Sequence, residues 1–196
     1  MREIDNRIIQ KAKNGDKKSF EIIINTYRQT VIEICYRYLR NREESFDMAQ
    51  EIFITVFNSL KNFEFKSKFS TWLYRICVNA CINRYNKLKI EKYYEMDSLS
   101  KDNEDDKKEI DLKDPRQNQD EEMELVNLKE NIFKCMHDFT TIEKSVVILR
   151  DFQGFEYKEI SDILNLPIGS VKSKLFRARE KLKNRLKRIL GEKNEL

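Results

Sequence analysis

Between Tyr157 and Arg188 the helical periodicity of the chain breaks once, and the break is confined to five residues. Tyr157, Ile160, Ile163 and Leu164 fall at helical spacing. Asn165-Leu166-Pro167-Ile168-Gly169 then interrupts the pattern as a turn, and Ser170 is placed to cap the helix that follows. That helix carries Val171, Leu175, Ala178, Leu182, Leu186, Ile189 and Leu190 as its apolar stripe. Two helices joined by so short a turn make a helix-turn-helix, the pattern in which the second helix enters a DNA major groove.

A basic face on an amphipathic helix is usually just solvated, so pattern alone does not settle the matter. Two details favour a polyanion. Lys172, Lys174, Arg177, Arg179, Lys181, Lys183, Arg185, Lys187 and Arg188 stand against a single acidic residue, Glu180. Ser170, Ser173 and Phe176 also sit among the charges at the start of the helix. Such groups can read base edges, whereas lysine and arginine alone mostly hold phosphates.

The rest of the chain reads as helix too. No sustained period-two alternation is visible, and the four glycines and two prolines stand where helical patterns break. Charge divides the chain in three. Residues 1–89 carry 17 basic and 10 acidic side chains, residues 90–125 carry 6 and 14, and residues 126–196 carry 15 and 10. The expected fold is therefore all-α. Two small helical domains, 1–89 and 121–196, are joined by a flexible acidic linker at 90–120, and the second contains the helix-turn-helix.

Within 1–89, Asn14-Gly15-Asp16 is a stop followed by a new N-cap. Phe20, Ile23, Ile24, Tyr27, Val31, Ile34, Cys35, Tyr38 and Leu39 continue as a core stripe. From Glu43 to Leu60 a second helix buries Ala49, Ile52, Phe53, Val56, Phe57 and Leu60. Asp47, Gln50 and Glu51 lie off that stripe, either as plain surface or as a docking face; composition does not separate the two. Phe63, Phe65 and Phe69 then alternate with Lys61, Lys66 and Lys68. Next, Ser70 or Thr71 caps a helix through Trp72, Leu73, Ile76, Ala80 and Ile82, with Arg75, Asn79, Asn83, Arg84, Asn86 and Lys87 among its polar positions. Aromatics interleaved with cations suit single-stranded nucleic acid, and they equally suit a core cluster beneath a basic surface. Helices are expected again over Glu121–His137, through Met123, Leu125, Leu128, Ile132, Phe133 and Met136, and over Ile142–Phe152.

Cys35, Cys77, Cys81 and Cys135 show no paired metal spacing, and His137 is the one histidine. They read as buried reduced thiols rather than a zinc site, and neither metal nor cofactor is expected. No signal peptide heads the sequence and no apolar run approaches ~18 residues, so a soluble protein of the cytoplasm is expected. A nucleic-acid enzyme would need clustered acids or metal ligands, which the sequence does not group; no catalytic residue is assigned.

Three stretches in order are more specific than any of these patterns. Asp47-Met48-Ala49-Gln50-Glu51, Phe69-Ser70-Thr71-Trp72-Leu73-Tyr74-Arg75-Ile76-Cys77-Val78-Asn79, and the run from Leu166 to Arg179 closely resemble signature stretches of bacterial RNA polymerase sigma factors of the extracytoplasmic-function group. The resemblance covers residues 4–89 and 121–190. It implies a transcription initiation factor that binds core RNA polymerase and promoter DNA, in many members controlled by an anti-sigma factor that is often membrane-bound. By resemblance, Asp47, Gln50 and Glu51 dock on polymerase. Phe63, Phe65, Lys68, Trp72, Asn79, Asn83 and Arg84 open and read the minus-ten element. Ser170, Lys172, Ser173, Lys174, Phe176, Arg177 and Arg179 bind the minus-thirty-five element. The family helix often shows arginine where this chain has Lys174, and lysine offers a point charge rather than a planar fork. The alternative is a helix-turn-helix regulator that binds duplex DNA without polymerase; such a protein has no use for the Phe69–Asn79 stretch or the Asp47 patch.

Overall fold

In the computed structural model the described residues are 3–99, 132–133, 135–136 and 139–191, and among them the regular structure is entirely helical. Helix α1 (Asn6–Lys13) starts at Asp5, whose carboxylate accepts the Arg7 N–H at 2.8 Å. Helix α2 (Lys17–Leu39) starts at Asp16, whose carboxylate accepts the Ser19 N–H at 3.1 Å. Between them Gly15 takes φ +94°, left-handed backbone that L side chains rarely adopt. The Asn14–Asp16 stop and recap is therefore where the sequence placed it. Asn41 caps α3 (Arg42–Ser59) by accepting the Glu44 N–H at 3.0 Å, and Glu43 and Glu44 complement the positive end of the helix dipole. A short 3-10 turn, Leu60–Asn62, leads into the loop before α4 (Phe69–Leu99).

Helix α4 departs from expectation at both ends. It begins at Phe69, so Ser70 and Thr71 are buried in its first turn instead of capping it. It also runs on to Leu99, ten residues beyond the expected edge of the linker. Ile90-Glu91-Lys92-Tyr93-Tyr94-Glu95-Met96 holds no helix breaker. The remainder of the expected linker, 100–120, and the expected helix through Met123, Leu125, Leu128 and His137 lie outside the described residues.

Toward the C-terminus, Thr140 and Glu143 form a capping box at the start of α5 (Thr141–Val147). The chain continues as one π-helical turn, Ile148–Phe152, so the single helix expected over Ile142–Phe152 is built in two hydrogen-bonding registers. Helices α6 (Tyr157–Leu164) and α7 (Ile168–Gly191) follow. Asn165 ends α6 in left-handed conformation at φ 53°, and its N–H bonds the Ser161 carbonyl. The Pro167 carbonyl accepts the Val171 N–H at 3.1 Å, so Ser170 lies inside the first turn of α7 rather than at its cap. Proline lacks the N–H that a helix start would leave unpaired, which suits it to this corner.

Helices α1 to α4 form one layer of packing around Ile23, Tyr27, Val31, Ile34, Ile52, Val56 and Leu73, all buried. Helices α5 to α7 close around Val146, Val147, Leu149, Ile160, Ile163, Val171, Leu175 and Ala178. The halves meet along α4. The Tyr74 and Phe155 rings pack edge to face at 5.0 Å, both almost wholly buried. The buried seam of α4 is Leu73, Tyr74, Cys77, Val78 and Cys81, whereas Trp72, Ile76, Ala80 and Ile82, expected in the core, are half-buried on its flanks.

Candidate nucleic-acid interface

Burial of Val171, Leu175 and Ala178 sets the rotation of α7 and turns Lys172, Ser173, Phe176, Arg177 and Arg179 outward. Phe176 is 68% exposed, an unusual place for a large apolar ring and the most exposed of the large hydrophobic side chains described. Ser170 and Lys174 are half-buried at the edge of this face, and Ser173 Oγ donates to the Ser170 carbonyl at 3.1 Å. Lys172 Nζ lies 5.6 Å from the centre of the Tyr157 ring, which ties the start of α7 to α6.

The cations of α7 are not equivalent. Arg179 Nε donates to Asp151 at 3.1 Å, and its Nη2 makes a second, shorter bond to the same carboxylate. That carboxylate holds the Arg179 pKa above its ordinary value. Farther along, Lys181 Nζ reaches Glu143 at 2.6 Å and Arg185 donates to the Cys135 carbonyl at 2.7 Å. Lys181 and Arg185 thus hold α7 to the preceding segment. Lys172 and Arg177 stand exposed in the first three turns of the helix, and Lys183, Lys187 and Arg188 stand exposed farther along it.

A second face lies at the start of α4. Residues of the 63–70 loop and the N-terminal segment enclose a pocket of about 260 Å³, with Tyr27, Phe65, Lys68 and Phe69 in its wall. Phe65 adopts φ 58°, a conformation that costs a non-glycine residue of order 1–3 kcal/mol unless its surroundings impose it. Here Phe63 packs against it at 4.8 Å, and Lys13 lies over its ring while donating to the Phe63 carbonyl at 2.8 Å. Phe63 itself is buried among Phe65, Phe69 and Trp72, so its ring serves as support for the loop. Trp72 is half-buried in the same cluster. Lys68 reaches Glu3 and Glu159, each at 3.4 Å.

Asn79 and Asn83 are exposed one turn apart on α4, in line with exposed Arg75. Arg84 is half-buried, and its Nε donates to Glu44 at 2.7 Å, fastening α4 to α3. The seven expected minus-ten residues therefore separate into a pocket wall (Phe65, Lys68), an aromatic support (Phe63, Trp72), an amide row (Asn79, Asn83) and a helix-to-helix tie (Arg84).

The third face is on α3. Asp47, Gln50 and Glu51 are all exposed and lie within one turn. Ile54 (61% exposed) and Phe57 (48% exposed) continue the same side of the helix. Phe57, expected in the core, has one edge on the Phe20 ring at 4.9 Å and the other open. The true core stripe, Ala49, Ile52, Phe53, Val56 and Leu60, already accounts for one helical face. Neither Ile54 nor Phe57 lies on it, and that surplus was the signal available in the sequence.

The sequence also aligns with known families. The Sigma-70 region 2 family matches residues 23–90, and the Sigma-70 region 4 family matches residues 130–182. The ECF RNA polymerase sigma-E factor of Haemophilus influenzae is 31% identical over 186 residues, covering 95% of this chain and 97% of that protein. The chain belongs to the extracytoplasmic-function group of RNA polymerase sigma factors. SigW of Bacillus subtilis is 33% identical over 182 residues, with 91% of this chain and 95% of that protein covered. Among solved structures, CnrH in complex with the cytosolic domain of CnrY superposes with a TM-score of 0.66 at 18% identity, covering 93% of this chain and 96% of that one. The sigma factor RpoE of Bartonella quintana, in complex with the anti-sigma factor NepR, gives 0.64 at 18% identity, covering 87% and 98%. At that identity these two likenesses speak for the shared helical fold. Sigma factors are transcription initiation factors. No helix among the described residues is long and apolar enough to cross a membrane.

Proposed function

We propose that this sigma factor divides its work over the three faces. The exposed row of Asp47, Gln50 and Glu51, extended by Ile54 and Phe57, docks on core RNA polymerase. The pocket at Phe65 and Lys68 takes up an unstacked base of the minus-ten element. Unstacking costs a few kcal/mol, which ring contacts and edge hydrogen bonds in the pocket can offset. Asn79 and Asn83 read neighbouring bases, since an amide both donates and accepts. The start of α7 enters the major groove at the minus-thirty-five element. Lys68, now shared between Glu3 and Glu159, exchanges those carboxylates for a phosphate when promoter DNA arrives.

The observation that carries this reading is α7: Lys172, Ser173, Phe176 and Arg177 are exposed together on a helix fixed in rotation by buried Val171, Leu175 and Ala178. The protein works in the cytoplasm, performs no catalytic step of its own, and is held inactive by an anti-sigma factor. The anti-sigma partner is inferred from the Bartonella RpoE, solved in complex with the anti-sigma factor NepR.

Run-off transcription with purified bacterial core polymerase, with and without the protein, tests the reading on AT-rich promoter fragments. New start sites that depend on the protein support it. If the protein neither binds core nor directs transcription, the polymerase-independent regulator replaces it.

A further inference from the structure

Cys35 of α2 and Cys77 and Cys81 of α4 converge in the core, and their three sulfurs all lie within 4.8 Å of one another. Each residue is 0% exposed. Cys77 and Cys81 are one turn apart, so they present their thiols on one face of α4, and α2 brings Cys35 against that face. The Cys81 thiol donates to Cys35 Sγ at 3.6 Å. Hydrogen bonds from Cys77 and Cys81 pull the Cys35 thiol down, while bonding to Cys35 and burial push Cys77 well up. No docking or DNA-reading face uses these three thiols.

We propose that the cluster is a binding site for a soft monovalent d10 ion, copper(I), held by three sulfurs. Geometry comes first. An ion about 2.3 Å from three sulfurs in a plane spaces them about 4.0 Å apart, a shift of well under 1 Å per sulfur from the arrangement in the core. Coordination number comes next. Structural zinc takes four ligands, and among the described residues the group that could hold an ion contains these three alone. The sulfurs are out of contact with solvent, so water does not readily supply a fourth ligand. Thiolate sulfur selects soft ions, and copper(I) is the soft first-row ion suited to so few ligands.

Loading takes place as the chain folds or while α4 and α2 part, because the closed core has no opening at the sulfurs.

The full-length protein is titrated anaerobically with copper(I) supplied as its glutathione complex, against a bathocuproine competitor. The expected result is about one copper per chain, thiolate-to-copper absorption in the near ultraviolet, and a higher melting temperature. X-ray absorption of the wild-type protein should show a shell of three sulfurs near 2.3 Å. Copper content should fall to background in Cys35→Ala and in Cys81→Ala, with helicity by circular dichroism as the control for folding. Cys135→Ala, outside the cluster, should bind as wild type does. No copper retained against the competitor, a shell of two sulfurs, full binding by a folded Cys35→Ala, or displacement of the copper by stoichiometric zinc would each overturn the assignment. If both variants fail to fold, the absorption measurement on the wild type decides alone.

Discussion

The Tyr38 hydroxyl donates to Ser145 Oγ at 2.6 Å, and both side chains are completely buried although 107 residues separate them. Ser145 Oγ in turn donates to the Thr141 carbonyl at 2.7 Å. The pair fastens the end of α2 to α5, so the two halves of the protein share a polar contact as well as the Tyr74–Phe155 packing. Removing either partner has different consequences. Tyr38→Phe leaves Ser145 with its bond to Thr141 and should cost about 1 kcal/mol. Ser145→Ala strands a buried phenol and should cost more, about 1–3 kcal/mol. Urea unfolding of both variants measures the order; equal effects would mean the bond is not formed in solution.

Lys144, beside Ser145, is 6% exposed, with Nζ donating to the Tyr38 carbonyl at 3.2 Å and lying 4.0 Å from the centre of the Tyr85 ring. Burial, helped by nearby Arg40 and Lys89, pushes its pKa down to about 8. An unfolded chain keeps that proton up to about pH 10.4. Below pH 8 both states are protonated and the cost of the buried charge is felt in full. Between about pH 8 and 10.4 the unfolded state binds more protons, so this group makes stability rise with pH. Lys144→Met should therefore be more stable than wild type at pH 7, by on the order of 1–2 kcal/mol after the lost ring contact is allowed for. The difference should shrink from pH 8 to 10. Melting curves of both proteins across that range decide it, and a difference that does not change with pH would remove the lysine as its cause.

These two contacts also mark what the sequence could and could not convey. The recapping at Asp16, the corner at Asn165 to Pro167 and the first part of the α7 stripe, Val171, Leu175 and Ala178, were legible, because each is local and follows from backbone chemistry and a 3.6-residue period; Leu182 and Leu186 are half-buried, and the side chains of Ile189 and Leu190 lie outside the described residues. Periodicity identifies an apolar face but not the face it meets. Cys35 and Cys77 are therefore invisible as neighbours in the sequence, as are Lys68 and Glu159. The seam of α4 was misplaced for a related reason. Trp72, Ile76 and Ala80 form a plausible stripe, yet Tyr74, Cys77 and Cys81 occupy the face that α2 and the C-terminal half cover. Phe65 could not be anticipated either, because its left-handed backbone is imposed by Phe63 and Lys13. Of the candidate sites, α7 was read most fully and α3 least, since Ile54 and Phe57 extend its exposed row.

Docking and base reading should separate by mutation. Ile54 is 61% exposed, so Ile54→Glu should leave stability within about 0.5 kcal/mol while weakening binding to core polymerase at least tenfold. Asn79→Ala should do the reverse, sparing core binding and cutting promoter-specific transcription. Pull-down with core and run-off transcription give the two readings. Loss of core binding in Asn79→Ala, equal to its loss of transcription, would remove Asn79 from the base-reading face.

If Arg179 contacts DNA as the proposed function has it, its pairing with Asp151 places a carboxylate where a phosphate would otherwise bind. Such an exposed pair adds little stability, so on the proposed function its larger effect is competition with DNA. Asp151→Asn should leave the melting temperature nearly unchanged, tighten duplex binding, and make the dependence of log K on log salt steeper by about one unit as Arg179 gains a phosphate. Lys172→Ala should weaken binding and make the same slope shallower by about one unit. Measuring both on one minus-thirty-five duplex between 50 and 200 mM salt (the range over which such slopes are resolved) sets the two changes in opposite directions. If Asp151→Asn instead weakened binding at an unchanged slope, Asp151 would be orienting Arg179 toward a base edge, and the pair would belong to sequence reading rather than to phosphate contact.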